Sequence, residues 1–191
     1  MSSVRRAVAA DIHRVCRTAT LAFVHDPLMR WFYPDDDDYV ALAPSAFEYL
    51  ARRSVAQDCT FTTDDTVAIG IFFPPGRPHI EVEDPPGQRP TNLDLLARFE
   101  ALGATLAEQT PPEPHWYLNV LATHPDWQRQ GLGAAIIAPT GEVCRRDGLA
   151  LYLETESIEN VAYYTHLGFR VRSEWDLPLD GPHLWGMIRE P

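Results

Sequence analysis

The 191-residue chain contains no lysine; all sixteen of its basic side chains are arginine. A P-loop is excluded, because its phosphate cradle needs Gly-Lys-Ser/Thr, and the chain offers no lysine of its own for acetylation. Cysteine is scarce as well. Cys16, Cys59 and Cys144 are odd in number and widely spaced, which argues against a disulfide framework and for reduced, mostly buried thiols. The seven histidines include no i, i+4 pair and no carboxylate cluster at ligand spacing, so no metal site is expected. Positive charge is in short supply: the formal net charge of −11 argues against nucleic acid and anionic membranes, both of which need basic patches. It suits a cationic substrate, although excess acid also serves plain solubility. No apolar run approaches a membrane span, Val67–Phe73 being only strand-sized. Met1-Ser-Ser-Val-Arg-Arg lacks the apolar stretch of a signal peptide, so the expected compartment is the cytoplasm.

What is present fits one domain over residues 1–191. A chain of this length buries roughly 70% of the surface its unfolded form exposes, enough for a core of its own. The most informative stretch is Gln128-Arg129-Gln130-Gly131-Leu132-Gly133. His115–Thr123 before it is apolar, β-branched and aromatic, as in a strand; Leu132, Ala135, Ile136, Val143 and Cys144 after it recur at helical spacing. A glycine-rich turn between strand and helix leaves the first helical N–H groups unpaired at the positive end of the helix dipole, where a phosphate or pyrophosphate can sit. A Cβ at Gly131 or Gly133 would keep an anion from those amides. The same pattern also describes a plain tight turn. A dinucleotide fingerprint is set aside, because it needs a third glycine early in a βαβ unit.

Along the chain, Ser3–Ala7 reads as a strand and Ala9–Phe23 as a helix, broken by Asp26-Pro27. Met29, Trp31, Phe32 and Tyr33 precede the acidic run Asp35–Asp38. Aromatics beside carboxylates could line an amine pocket, or form a partly buried loop before a solvated helix start. Ala41–Val55 is a second helix, and Cys59–Thr63 with Val67–Phe73 a hairpin. The prolines of Pro74–Pro90 mark a long irregular crossing that could cover a substrate. Thr91-Asn-Leu-Asp94 caps a helix through about Glu108. After the glycine-rich turn come helix Leu132–Arg146, strand Leu149–Thr155, a short helix near Glu159–Leu167 closed by Gly168, and two strands. The order β-α-α-β-β-α-β-α-β-α-β-β describes a mixed α/β domain with a central twisted sheet.

Leu121-Ala-Thr-His-Pro-Asp-Trp-Gln-Arg-Gln-Gly-Leu-Gly133 resembles motif A of the GNAT superfamily of acyl-CoA-dependent N-acyltransferases. Leu151-Tyr-Leu-Glu-Thr155, followed by Asn160-Val-Ala-Tyr-Tyr-Thr-His-Leu-Gly-Phe169, is similar to that family's fifth strand and its Asn…Tyr-x-x-x-Gly-Phe helix. With Trp185-Gly-Met-Ile-Arg189 and Pro139, these elements look like the puromycin N-acetyltransferase branch. The likeness is close over about residues 115–190, looser over the first 73 and weakest between. It implies a GNAT-like mixed sheet with helices on both faces, and acetyl-CoA as co-substrate. The acceptor it implies is a small-molecule amine, with neither nucleic acid nor membrane as partner, and the molecule is a monomer or homodimer. A peptide N-acetyltransferase and a non-catalytic acyl-CoA sensor remain alternatives.

The resemblance also distributes roles. The pyrophosphate would sit on the amides of Gln128, Arg129, Gln130, Gly131, Leu132 and Gly133, and the pantetheine arm along the backbone of Leu121, Ala122 and Thr123. Tyr164, four residues before Gly168, matches the family's general acid; its other reading is core packing. Tyr163 points about 100° away around the helix. Glu154 is the candidate base, through water: Leu149, Leu151 and Leu153 share one strand face, and Tyr152, Glu154 and Glu156 the other. A solvated strand-end carboxylate is its alternative. Asn160 either caps the short helix or touches the cofactor, and His124 is a turn residue or a reserve base.

Overall fold

The computed structural model describes residues 3–77, 82 and 92–191. Its strands are β1 (Val4–Arg6), β2 (Thr60–Thr63), β3 (Ala68–Phe73), β4 (His115–Thr123), β5 (Ala150–Thr155), β6 (Arg170–Asp176) and β7 (His183–Arg189). Its helices are α1 (Ile12–Ala22), α2 (Pro27–Phe32), α3 (Asp36–Val55), α4 (Leu93–Gln109), α5 (Leu132–Asp147) and α6 (Ile158–His166). The strands form one sheet in the order β1-β2-β3-β4-β5-β7-β6, antiparallel except at β4–β5. Among the described residues no helix is long and apolar enough to cross a membrane.

The expected element order holds with one addition, the short helix α2. The break at Asp26-Pro27 starts a helix instead of a loop, because the Asp26 carboxylate accepts from the Met29 N–H at 2.9 Å while Pro27 occupies the first helical position. The next helix, α3, begins at Asp36, earlier than the expected Ala41. Asp36, Asp37 and Asp38 stand in its first turn, where negative charge complements the helix dipole. At α4 the capping side chain is Asn92, accepting from the Asp94 N–H at 2.9 Å. Thr91 and most of Pro74–Pro90 lie outside the described residues.

Period-two alternation divides the sheet between two cores. Ile69, Ile71, Phe73, Tyr117, Val120 and Tyr152 face α1, α2 and α3, with Val15, Phe32 and Phe47 packed on them. Phe72, Leu118, Leu151, Leu153 and Met187 face the opposite side, against Ile136 and Ile137 of α5 and Tyr164 of α6. Helices on both faces are the expected arrangement. Arg189 supplies a reason for the Trp185-Gly-Met-Ile-Arg189 pattern: its Nη1 donates to the Leu167 carbonyl, closing the end of α6, and its guanidinium lies over the Phe169 ring.

Two irregularities in the sheet make room at its centre. Strands β4 and β5 pair over three positions only, His115–Ala150, Trp116–Leu151 and Tyr117–Tyr152, and then diverge. Pairing of β4 with β3 slips between Val120–Ile71 and Leu118–Phe72, which leaves Asn119 as a bulge residue.

Candidate active site

Beyond Tyr117 the edge of β4 that faces β5 has no strand partner among the described residues, and the opening between the two strands leads into a cavity of about 300 Å³. Three elements bring polar side chains to it. The bulge turns Asn119 toward the cavity, β5 sends Glu154 to the same side, and α6 contributes Asn160 and Tyr164, one helical turn apart. Phe23, Phe32, Tyr33, Phe47 and Phe99 form much of the remaining wall.

Glu154 is the best-held of these groups. Tyr117 Oη donates to Glu154 Oε2 at 2.6 Å, and Asn119 Nδ2 donates to Tyr117 Oη at 3.2 Å. Since the single Tyr117 hydrogen is committed to Glu154, Asn119 must present its NH₂ to the phenol and its carbonyl elsewhere. Among the described residues Glu154 Oε1 and Asn119 Oδ1 are shut off from solvent without a hydrogen-bond partner, the Glu154 carboxylate having beside it the Tyr152 hydroxyl, which is buried and equally unpartnered. Unmet buried acceptors are costly in a finished fold and mark a place for N–H donors. Burial raises the Glu154 pKa above the ordinary glutamate value; the Tyr117 hydrogen bond and the charge of Arg77 oppose the shift without cancelling it. Arg77 stacks on the Tyr117 ring at 3.8 Å and lies 3.3 Å from His115 Nε2. His115 Nδ1 donates to the Glu113 carbonyl, which fixes Nε2 as the acceptor for Arg77.

Tyr164 is 8% exposed, and its ring packs edge-on against Phe169. Among the described residues its hydroxyl makes no hydrogen bond, and burial pushes its pKa well above that of a free phenol, so the proton is retained. Tyr163 points elsewhere, as its helical position predicts: its hydroxyl lies where a Cβ on Gly133 would come within 2.7 Å. A Cβ on Gly133 would thus crowd Tyr163, whereas Gly131 is needed for its backbone, with φ +78° at the N-cap of α5.

The turn itself lies open. Gln128, Arg129, Gln130 and Gly131 are exposed, and Leu132 and Gly133 open α5 with the unpaired amides of a helix start. Gln128 Nε2 donates to the Thr123 carbonyl at 3.3 Å. Leu121, Ala122 and Thr123 pair with Gly70, Ile69 and Ala68 on the β3 side. Of these three only Leu121 reaches the cavity.

Other expectations shift. The cap of α6 is Ser157, whose hydroxyl accepts from the Asn160 N–H, while Asn160 Nδ2 donates to Thr155 Oγ1 at 3.2 Å. His124 caps the short turn at Pro125 through Nδ1 and does not line the cavity. Asp35–Asp38 are exposed, with Asp36 paired to Arg30 at 2.8 Å. The carboxylates that do line the cavity beside Glu154 are Asp26 and Glu156. Sequence reading missed Tyr117, Asn119, Arg77 and Asp26; the one local signal was a polar Asn inside an apolar strand. No cysteine lines the cavity, and burial pushes the Cys16 thiol up to about 12 and those of Cys59 and Cys144 up to about 11, so all three stay protonated.

Known proteins agree with this architecture. A Schizosaccharomyces pombe protein, an uncharacterized N-acetyltransferase, is 23% identical over 99% of the chain and 83% of its own length. A Corynebacterium glutamicum structure, of histone acetyltransferase HPA2 and related acetyltransferase, superposes with a TM-score of 0.69 at 24% identity, covering 100% of this chain and 97% of that one. The Drosophila melanogaster polyamine N-acetyltransferase, which forms N-acetylagmatine, superposes with a TM-score of 0.71 at 12% identity over the full length of both chains. The Acetyltransferase (GNAT) family model matches residues 69–169, more than half of the sequence and the part that holds β4, the glycine-rich turn, β5 and α6. The chain belongs to this family and is an N-acetyltransferase.

Proposed function

We propose that the protein moves an acetyl group from acetyl-CoA to the primary amine of a small cationic acceptor by direct attack. The observation that carries this reading is the convergence of a raised carboxylate, Glu154, and a protonated phenol, Tyr164, on one small cavity at the opening between β4 and β5. GNAT enzymes take their acyl group from acyl-CoA. The exposed amides opening α5 suit its diphosphate, and the unpaired edge of β4 suits the amide groups of its pantetheine arm. The thioester would then enter the cavity from the strand opening.

The chemistry follows from the groups present. An incoming ammonium gives its proton to Glu154, with Glu154 Oε1 and Asn119 Oδ1 accepting its N–H bonds. The amine nitrogen attacks the thioester carbonyl carbon, and a backbone N–H of β4 steadies the oxyanion, a kind of contact typically worth about 3–4 kcal/mol. The C–S bond breaks, the departing thiolate takes the Tyr164 proton, and the attacking nitrogen passes its surplus proton to the Tyr164 phenolate, which leaves a neutral amide and restores the phenol. A cavity of about 300 Å³ stands at the small end of small-molecule sites, which favours a small acceptor over a protein. A structural neighbour that forms N-acetylagmatine supports the same class. The Leu-Glu-Thr, Asn160 and Trp185–Arg189 patterns support a place beside the puromycin N-acetyltransferase branch, and Tyr164 in the cavity favours an enzyme over a sensor.

Thiol release measured with acetyl-CoA and a panel of small amines tests the reading. Turnover with small amines is expected; acetyl-CoA binding without turnover, or turnover with peptides alone, would overturn it. Gly131→Asp tests the diphosphate site separately. Aspartate tolerates a positive φ better than most residues, and its charge would oppose the phosphates, so acetyl-CoA affinity should fall about tenfold or more. Unchanged affinity by calorimetry in the folded variant would remove the turn from the site.

A further inference from the structure

Among the described residues three carboxyl groups line the cavity, those of Asp26, Glu154 and Glu156, and no arginine or histidine does. The reaction as proposed uses one of them, Glu154. The other two, Asp26 at the N-cap of α2 and Glu156 one residue beyond β5, line the same cavity as neighbours. Asp26 Oδ1 already accepts the Met29 N–H at 2.9 Å. Arg30, the cation of α2, is engaged with Asp36 at 2.8 Å and with the Val24 carbonyl. Burial first, and then the neighbouring Asp26 carboxyl, hold the Glu156 carboxyl well above the usual carboxylate range. Folding alone gains nothing from bringing two carboxyl groups together without a cation.

Resting on the transferase reading above, we propose that Asp26 and Glu156 form a receptor for a second cationic group of the acceptor, so that the substrate is a diamine or a guanidinium-bearing amine with an apolar linker. The other end of the acceptor is fixed by the transferase reading itself. Glu154 Oε1 and Asn119 Oδ1, both buried and unpartnered, mark the end where the reacting nitrogen binds. Strand β5 ends at Thr155 and Glu156 stands in the bend beyond it, so Glu154 and Glu156 lie at most roughly 6–7 Å apart along the backbone, which a linker of up to about four methylenes spans. Phe23, Phe32, Phe47 and Phe99 line the space around it, apolar toward methylenes and favourable toward a cation at their faces.

The test compares kcat/KM for 1,4-diaminobutane and butylamine, which differ by the second nitrogen, at saturating acetyl-CoA. The wild type should favour the diamine by about tenfold or more, chiefly through KM, as expected of a contact away from the reacting atoms. A chain of net charge −11 attracts any dication at long range, so the preference must also be followed in variants. Asp26→Asn retains a good helix cap, and Glu156→Gln retains volume; in each the diamine-to-butylamine ratio should fall several-fold toward one. Equal use of both amines by the wild type would overturn the receptor while leaving the transferase intact. A preference that survives both substitutions would overturn it too, tracing selectivity to overall charge. If no amine is acetylated by a protein that binds acetyl-CoA, the transferase reading fails and takes the receptor with it.

Discussion

Tyr164→Phe should lower kcat by roughly 10²–10⁴, the usual range for a positioned acid, and leave acetyl-CoA affinity nearly unchanged. The substitution removes one oxygen and keeps the ring that packs against Phe169 at 5.6 Å between centroids. The hydroxyl supports nothing else in the fold, since among the described residues it has no hydrogen-bond partner, so stability should hold. A loss confined to turnover is the signature of an interaction made only in the transition state. Tyr163→Phe is the internal control. Its hydroxyl lies beside Gly133 and not in the cavity, so the effect on turnover should be mild. Turnover near wild type in Tyr164→Phe, with chemistry rate-limiting, would dismiss Tyr164 as the acid. A larger loss at Tyr163 would move the role one position along the helix.

Glu154→Gln should also cost roughly 10²–10⁴ in kcat/KM. Glutamine fills the same volume and can still accept the Tyr117 hydrogen bond, so the missing property is basicity. The pH profile carries the sharper prediction. A base works only when deprotonated, and burial raises the Glu154 pKa. The wild-type kcat/KM should thus climb with pH through a value above that of ordinary glutamate and level off beyond it. Tyr117→Phe deletes a hydrogen bond that favours the charged carboxylate at 2.6 Å and so raises the Glu154 pKa further. The rising limb should move to higher pH in Tyr117→Phe and disappear in Glu154→Gln. Such a displacement identifies Tyr117 as a positioning residue acting through Glu154. An unmoved limb in Tyr117→Phe would detach the tyrosine from the base, and a limb that persists in Glu154→Gln would assign it to another group.

Much of this arrangement is written in local sequence. Tyr164 could be singled out through its resemblance to the family's Tyr-x-x-x-Gly-Phe motif, and Glu154 through the strand period: placing Leu151 and Leu153 in one core sends Glu154 to the opposite face. The glycine-rich turn was legible for the same reason, as a change of period from two to 3.6 across a pair of glycines. Asn119 and Tyr117 were not legible. Their roles come from a slipped register against β3, a property of pairing and not of the strand alone. Asp26 was read as part of a helix stop, since its partner Glu156 lies in the opposite half of the chain and only the fold brings the two together. The acidic run Asp35–Asp38 had the stronger local signal and proved to be solvated. A carboxylate's neighbours decide its use, and sequence alone lists only those nearby along the chain.

The three-residue seam between β4 and β5 has a thermodynamic consequence. Parallel pairing there is the one ladder that joins β1–β4 to the β5-β7-β6 half. Beyond it two strand margins diverge with their backbone groups unspent, a weak line in an otherwise continuous sheet. In the proposed mode of binding, the pantetheine arm fills that line as a short surrogate strand, bridging the halves with main-chain hydrogen bonds. Occupancy and folding are then the same equilibrium seen from two sides. At a ligand concentration a hundred times Kd, linkage alone adds about 2.7 kcal/mol to unfolding. The melting temperature should climb with the logarithm of acetyl-CoA concentration, and the amide protons first protected from exchange should be those of Leu118–Thr123.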